Sequence, residues 1–546
     1  MNTYETAILK FLRKKGYAVG SMITIMLQET FLVNATTARK ILERAVSNQF
    51  ITSTKPVSFG KGQYAYMPSG SYLTLEKILI ITKEHRPPIF RLLSTMIAQG
   101  GIISFYEALK VSSSVLDNAR SKKSLLEKLI SELFSLKLIV TKEDEYKSKY
   151  IIFSDKQANA IPLMIKQRGK MMTDAMFIPD ILRTLQAINI IDNKNVLFKN
   201  KNTPSLGVNH NNHVWDAIAY TRTTGINAVR ASEASIPERQ TLVVLDILIH
   251  RDYEDSDFQG FFTRVQSVMQ SVSKGTRKVM PVIVYARIND RRVLNTIHKV
   301  GFLTFSIGSI YGERIYEVIT HINNLRLKEL QGESAEIEKI VEDTLAIVKG
   351  SGQEDNLQNI KGDLFESLMY PLLTQVFPNN SIVHSYRLRT DGIDKAGYEY
   401  DYLIDVANHK EKVIVELKGY NASNKINLGT TDTRNTVSWF FDKTFVFARD
   451  ILVKSPGHPK ITGCYITSAN FSPEALNYLK KLNKGKIKPV YLDTWYNRSK
   501  LMQLLDAKGL THIKSILDKY YAPAIIDDSP AADNAAEILE VIDTPF

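Results

Sequence analysis

Along the first 50 residues, apolar positions return at the three-to-four-residue spacing of a helix with one buried face. The pattern predicts three helices, TYETAILKFLRKKG, SMITIMLQETF and NATTARKILERAVSNQF, the last entered at Asn34 as its N-cap. The spacing then drops to two in ITSTKPVSF and QYAYMP, two short strands joined through Gly60-Lys61-Gly62. Residues 70–157 repeat this order, with helices PPIFRLLSTMIAQG, ISFYEALKVS and KKSLLEKLISELFSLKLI and then the hairpin TKEDEYKSKYIIF. Leu125, Leu129, Leu133 and Leu136 form the core-facing stripe of its third helix.

Beyond residue 157 the pattern changes to α/β. In 158–330 the buried strand TLVVLDILIH precedes the helix FQGFFTRVQSVMQSV, followed by the strand VMPVIVYA, the helix RRVLNTIHKV and the strand FLTFSIGS. Residues 331–355 predict a linker helix, ESAEIEKIVEDTLAIVKG, ending at Gly350 before the polar SGQEDN. The unit 356–522 runs in the same order as the middle one: strand VIVELKGY, helix NTVSWFFDKTFVFARDIL, strand TGCYITSA, helix SPEALNYLKKL and strand KIKPVYLD. A helix, KGDLFESLMYPLLTQVF, and the run YEYDYLID come before them. In that helix Leu364, Leu368 and Leu372 make the stripe with Phe365 and Met369, and Glu366 sits at its margin.

Two of these runs carry charge where a core strand should not. Glu399, Asp401 and Asp405 share one face of the first, and Glu416 and Lys418 share one face of the second, with Val415 and Leu417 opposite. If the strands pair, Asp401 and Glu416 converge on one small hard cation, Mg²⁺ (or Mn²⁺), with the Leu417 backbone carbonyl as a third oxygen ligand. Such an ion polarises a phosphoryl oxygen, and the Lys418 amine beside it orients water and stabilises phosphate charge. The alternative is an internal salt bridge of the sheet.

Composition narrows the setting. With 546 residues the chain is too long for one core, and about three to five domains are expected. No apolar run has the length of a membrane span, and the basic cluster near the N-terminus follows the apolar residues, unlike a secretory signal. Cys464 is the only cysteine, which excludes disulfides and Cys-cluster zinc sites and fits a cytoplasmic location. Net charge is +13, yet residues 523–546 hold six acids and no Lys or Arg, so the rest of the chain carries +19. A basic body of this kind suits a polyanionic partner, and the acidic end predicts a flexible tail that either serves solubility alone or docks onto a basic surface.

Three helices and a hairpin make a winged helix, expected over 1–69 with a second winged-helix-like domain over 70–157. The first counts nine Lys and Arg against three Glu. Its third helix would present Thr36, Thr37, Arg39, Lys40 and Arg44 to DNA, with Lys61 at the wing tip on phosphate. A protein-contact role is the alternative. The second unit is diluted by Glu127, Glu132, Glu143, Asp144 and Glu145 and suits a spacer or dimer module as well as a reader of bases.

Through "GDLFES", "YEYDYLID", "VIVELKGY" and "YITSANFSPEALNYLKKLNKGKIKPVYLD", the chain resembles the PD-(D/E)XK nuclease superfamily, and within it the Mrr-like restriction endonucleases. The resemblance covers essentially 356–500 and implies a mixed sheet flanked by helices. It implies that Asp401 and Glu416 hold the metal, that Lys418 positions the nucleophilic water, and that Glu366 assists from the helix. The family's proline is absent before Asp401, and Asn435 is the nearest amide to the glutamine often found on the following helix. In 158–330, Asp216 and Asp246 match the two acids while Leu248 stands where the lysine belongs, so this unit reads as a degenerate copy or as an unrelated α/β domain. His210 and His213 in "NHNNH" read as a solvated loop.

The expected fold class is therefore multidomain α/β with α+β. The expected activity is Mg²⁺-dependent DNA endonuclease, in a restriction or anti-phage setting, with a homodimer or successive nicks needed to break both strands. Two alternatives stand beside it: a nuclease subunit of a multi-protein defence or recombination system, and a non-catalytic DNA-binding regulator built on nuclease-like scaffolds. No Walker A sequence is present, so any ATPase motor would be another chain.

Overall fold

The computed structural model describes residues 2–55, 57–59, 63–71, 73–116, 125–192, 195–221, 241–272, 279–334, 336–389 and 397–522. Lys61 and its flanking glycines, and the acidic segment 523–546, lie outside the described residues. The chain is a mixed α/β protein with several sheets, two of them mixing parallel and antiparallel pairs.

The first unit comprises α1 (Thr3–Lys15), β1 (Ala18–Val19), α2 (Gly20–Phe31), α3 (Ala35–Ser47), β2 (Ile51–Ser53) and β3 (Ala65–Pro68), with an antiparallel sheet in the order β1-β3-β2. Asn34 caps α3 by accepting the Thr37 amide at 2.8 Å. The same face-to-core logic buries Ala38, Ile41, Leu42 and Ala45 on α3. After α4 (Leu75–His85), which the apolar pattern did not single out, the order recurs as α5 (Pro87–Ala98), β4 (Ile102–Ser104), α6 (Phe105–Ser112), α7 (Leu125–Ser135), β5 (Ile139–Glu143) and β6 (Lys149–Phe153). Its sheet, β4-β6-β5, has the same strand order as the first.

The middle unit opens with α8 (Ala160–Ala187), a 28-residue helix buried almost all round from Met171 to Leu185. Strands β7 (Leu197–Phe198), β10 (Ala217–Thr221), β11 (Thr241–Leu248), β12 (Val279–Tyr285) and β13 (Leu303–Ser306) follow, with the small hairpin β8 (Val208–His210) and β9 (His213–Trp215) inserted. Helices α9 (Asp255–Val272), α10 (Arg291–Lys299), α11 (Ile307–Tyr311) and α12 (Ile315–Leu330) complete it. The C-terminal unit holds α14 (Gln358–Val376), β14 (Ser381–Arg389), β15 (Gly397–Val406), β16 (Glu411–Lys418), β18 (Lys460–Thr467) and β20 (Trp495–Tyr496), with β17 (Lys425–Ile426) and β19 (Asn470–Phe471) paired apart. Its helices α15 (Phe445–Leu452), α16 (Pro473–Leu482), α17 (Arg498–Ala507) and α18 (Thr511–Tyr520) surround the sheet, and a π-turn (Trp439–Thr444) leads into α15.

The two five-stranded sheets share one plan. Their orders are β13-β12-β11-β10-β7 and β14-β15-β16-β18-β20, and reversing one superposes it on the other in strand direction as well. In each, the central strand, β11 or β16, pairs antiparallel with β10 or β15 and parallel with β12 or β18.

Three differences from expectation have simple causes. Helix α13 (Ile337–Gly350), anticipated as a linker, buries Ile337, Val341, Leu345 and Val348 in a core that runs continuously from Met176 to Tyr521 across both sheets. The run KIKPVYLD is not a strand. Pro489 has no amide to donate, and the backbone meets β18 at Gly463 N–Ile487 O (3.0 Å) and Tyr465 N–Thr494 O (2.9 Å) before pairing at Trp495–Tyr496. Helix α14 carries more than a stripe: every residue from Asp363 to Leu373 is buried, because it lies in the core shared by both sheets.

Candidate functional site

The site is built where β15 and β16 stop pairing. The last matched pair is Tyr402 with Val415, and continuing the register brings Asp401 level with Glu416. There the Leu417 amide donates to Asp401 Oδ2 at 2.6 Å instead of to a strand carbonyl. The Lys418 ammonium lies 2.7 Å from Glu416 Oε1, with both side chains largely buried, 17% and 15% exposed. Alternation along β15 and β16 thus puts all three polar groups on one face, while Tyr402, Val415 and Leu417 pack into the shared core behind them. Burial, with the charges of Glu366 and Glu416 added to it, raises the Asp401 carboxyl well above the usual range. Although burial works against its charge, Glu416 and Asp401 hold Lys418 firmly protonated. The salt bridge weighed as the alternative is present, and it lies beside Asp401.

Glu366 is buried on α14. The helix is anchored from the middle unit: Asp180 on α8 accepts its first-turn amides, Asn359 N at 3.2 Å and Ile360 N at 3.1 Å. Burial pushes the Asp180 carboxyl up to about 6. One turn on, Lys201 reaches Glu366 Oε2 at 2.7 Å and also contacts Asp363. His384 on β14 stands between Glu366 and Glu329, 3.7 Å from each. Burial opposes ionisation of Glu366, yet Lys201 and His384 hold its carboxyl well below the usual range.

Lys201, Asp363 and His384 escaped the sequence reading. Lys201 lies in a short polar stretch, Lys199–Thr203, docked on the C-terminal sheet. Asn200 and Asn202 donate to Glu399 Oε2 at 2.7 and 3.2 Å, and Thr203 accepts from Arg387 at 3.0 Å. Asp363 had a legible signal, since it sits one helical turn before Glu366.

Four carboxylates, Asp363, Glu366, Asp401 and Glu416, face two ammonium groups, Lys201 and Lys418. The donors are all oxygens, which suits Mg²⁺ or Mn²⁺, with Asp401, Glu416 and the Leu417 carbonyl as the expected holders. Among the described residues, no three His, Cys, Asp or Glu side chains stand together in ligating array. Glu416 and Glu366 each face an ammonium instead.

The middle sheet repeats the geometry with other chemistry. Ala217 pairs with Leu245, so Asp216 comes level with Asp246, and the Ile247 amide donates to Asp216 Oδ2 at 2.8 Å. Leu248 occupies the place of Lys418. Both acids are saturated by cations: Asp216 by Lys110 (2.5 Å) and Lys199 (3.2 Å), Asp246 by Lys110 (3.0 Å) and Arg264 (2.9 Å). Tyr106 and Tyr253 donate to the same two carboxylates. Lys110 and Tyr106 come from α6, which closes this face at Gly260, where an added Cβ would lie 2.7 Å from the Lys110 carbonyl oxygen.

Other sequence candidates are dispersed. Thr36, Thr37, Arg39, Lys40 and Arg44 are exposed together on α3. Asn435 is exposed in the loop before the π-turn, with φ 58°, and does not lie on the helix itself. His213 is not in a solvated loop. It is buried beside Trp215, and burial pushes its imidazole down to about 4. No described helix is long and apolar enough to cross a membrane. Compared with known proteins, the chain matches no family model, no curated protein and no solved structure.

Proposed function

We propose that the chain is a Mg²⁺- or Mn²⁺-dependent DNA endonuclease of the PD-(D/E)XK type that acts against foreign DNA. One observation carries the reading: Asp401, held by the Leu417 amide, stands level with Glu416 while Lys418 caps the same strand end. This is a carboxylate pair with an adjoining ammonium, largely buried at the strand end. A divalent ion bound there supplies a polarised phosphoryl oxygen and an acidified water. The chain's own residues do the rest. Lys418 orients the attacking water and offsets charge on the phosphate, and Leu417 fixes the Asp401 carboxylate through its amide.

Recognition is assigned to α3 in a winged-helix first unit, with Arg39, Lys40 and Arg44 on phosphates or base edges. The middle unit is a degenerate copy of the nuclease plan. The matching strand order and the equivalent Asp216–Ile247 amide contact support that reading, and Leu248 with the cation-filled acids removes its chemistry. One complete site cuts one strand, so a double-strand break requires a homodimer, a partner protein or two successive nicks.

The test is incubation of the full chain with supercoiled plasmid and Mg²⁺ or Mn²⁺. Conversion to open-circular and then linear DNA, abolished by EDTA, is expected. Plasmid left supercoiled with either ion overturns the proposal.

A further inference from the structure

We propose that Lys201 takes the place of a second cation in the candidate active site and so restricts it to a single divalent ion. The inference rests on the nuclease reading above and adds a residue that the reading does not need. Asp363 and Glu366 are one helical turn apart on α14, and both face the Lys201 ammonium, which lies 2.7 Å from Glu366 Oε2. The Nε2 atom of His384 is buried without a hydrogen-bond partner, 3.7 Å from the same oxygen. Two carboxylates therefore converge on one ammonium, with an imidazole nitrogen beside the second of them.

The segment that brings Lys201 is fixed on both sides. Asn200 and Asn202 hold Glu399 on β15, Thr203 takes the Arg387 hydrogen bond from β14, and Lys199 is committed to Asp216. An amine gripped this way is a built-in part of the site and not a passing surface lysine. Without it, Asp363 and Glu366 lose their counter-charge, and both become oxygen donors for another ion beside the His384 nitrogen.

The probe is Mn²⁺ alone, titrated into the full-length protein without DNA, with free ion read by electron paramagnetic resonance. Wild type should bind one tight Mn²⁺ per chain, and Lys201→Arg should also bind one. Lys201→Ala and Lys201→Met should bind two. Glu416→Gln should lose the single ion, whereas Lys201→Met combined with Glu416→Gln should keep one. Because removing a buried amine weakens the fold, melting temperatures are read alongside. Mn²⁺ should raise the melting temperature of Lys201→Met more than that of wild type.

One ion in wild type with no gain in either lysine variant, by titration or by melting, overturns this inference and leaves the nuclease reading standing. No ion in wild type or in any variant overturns both.

Discussion

Lys110 Nζ, on α6, lies 2.5 Å from Asp216 Oδ2, just before β10, and 3.0 Å from Asp246 Oδ1 on β11. The contact joins the second N-terminal unit to the middle sheet at the position equivalent to the candidate active site. Burial works against the Lys110 charge, but Asp216 and Asp246 hold it protonated. Here the amine is structural, because Arg264 and Lys199 complete the neutralisation and Leu248 closes the strand end.

Removing Lys110 leaves Asp216 paired with Lys199 and Asp246 with Arg264, but takes one charged contact from each carboxylate. Lys110→Ala should cost roughly 2–3 kcal/mol, the worth of a hydrogen bond to a buried charged group. Denaturant unfolding followed by circular dichroism measures it. A loss below about 1 kcal/mol would show that α6 is not held through this pair.

Gly419 follows Lys418, and a Cβ there would lie 2.4 Å from Phe365 Cβ on α14. The absent side chain lets the end of β16 approach the helix that carries Asp363 and Glu366. Gly419→Ala must push the two apart. Cleavage should fall about 100-fold, as expected of small misplacement in a catalytic array. Plasmid-nicking rates for a variant that retains its circular dichroism spectrum provide the check, and unchanged rates would exclude a tight β16–α14 approach as part of the site.

Arg39, Lys40 and Arg44 are exposed on α3, opposite its buried Ala38, Ile41 and Leu42. Changing all three to Ala in the full chain should leave the melting temperature nearly unaltered, as exposed positions usually do. The slope of log affinity against log salt should shrink by about 2–3, close to 0.9 for each lost phosphate contact. Fluorescence anisotropy on a duplex at several salt concentrations gives the slope. If it does not change, α3 faces a protein and not DNA.

His512 on α18 sits between Glu338 (3.0 Å) and Glu342 (2.8 Å) on α13. Its hydrogen bond to Glu342, more than any other contact, raises its pKa above the ordinary 6.5. A raised folded-state pKa gives stability that is fully present below the unfolded value and lost as pH rises through the folded one. His512→Gln should therefore lower the melting temperature most below pH 6.5 and progressively less above it. A deficit that grows with pH would reverse the assignment.

The pattern of alternation was enough to place Asp401, Glu416 and Lys418 on one face, because a strand repeats every two residues whatever surrounds it. Asp216 and Asp246 are matched by likeness to that pair in a possible second copy, not by alternation. What it could not show was Lys201, which sits in the polar stretch FKNKNTPS and meets Glu366 165 positions along the chain. No local period records a pairing that distant. Helix α8 escaped for a related reason. Buried on nearly every side from Met171 to Leu185 and carrying Pro179, it has no clear polar face there to reveal its period. The reading of 331–355 as a linker also failed there, since the apolar face of α13 was legible but the core it enters was not.

The most direct measurement of the central claim is plasmid cleavage by Lys418→Ala, compared with wild type at saturating Mg²⁺ and with DNA binding measured on the same preparations. Lys418 touches Glu416 at 2.7 Å and has no part in α3, so the account predicts retained DNA affinity with cutting reduced at least about 100-fold. Wild-type cutting by Lys418→Ala would contradict it.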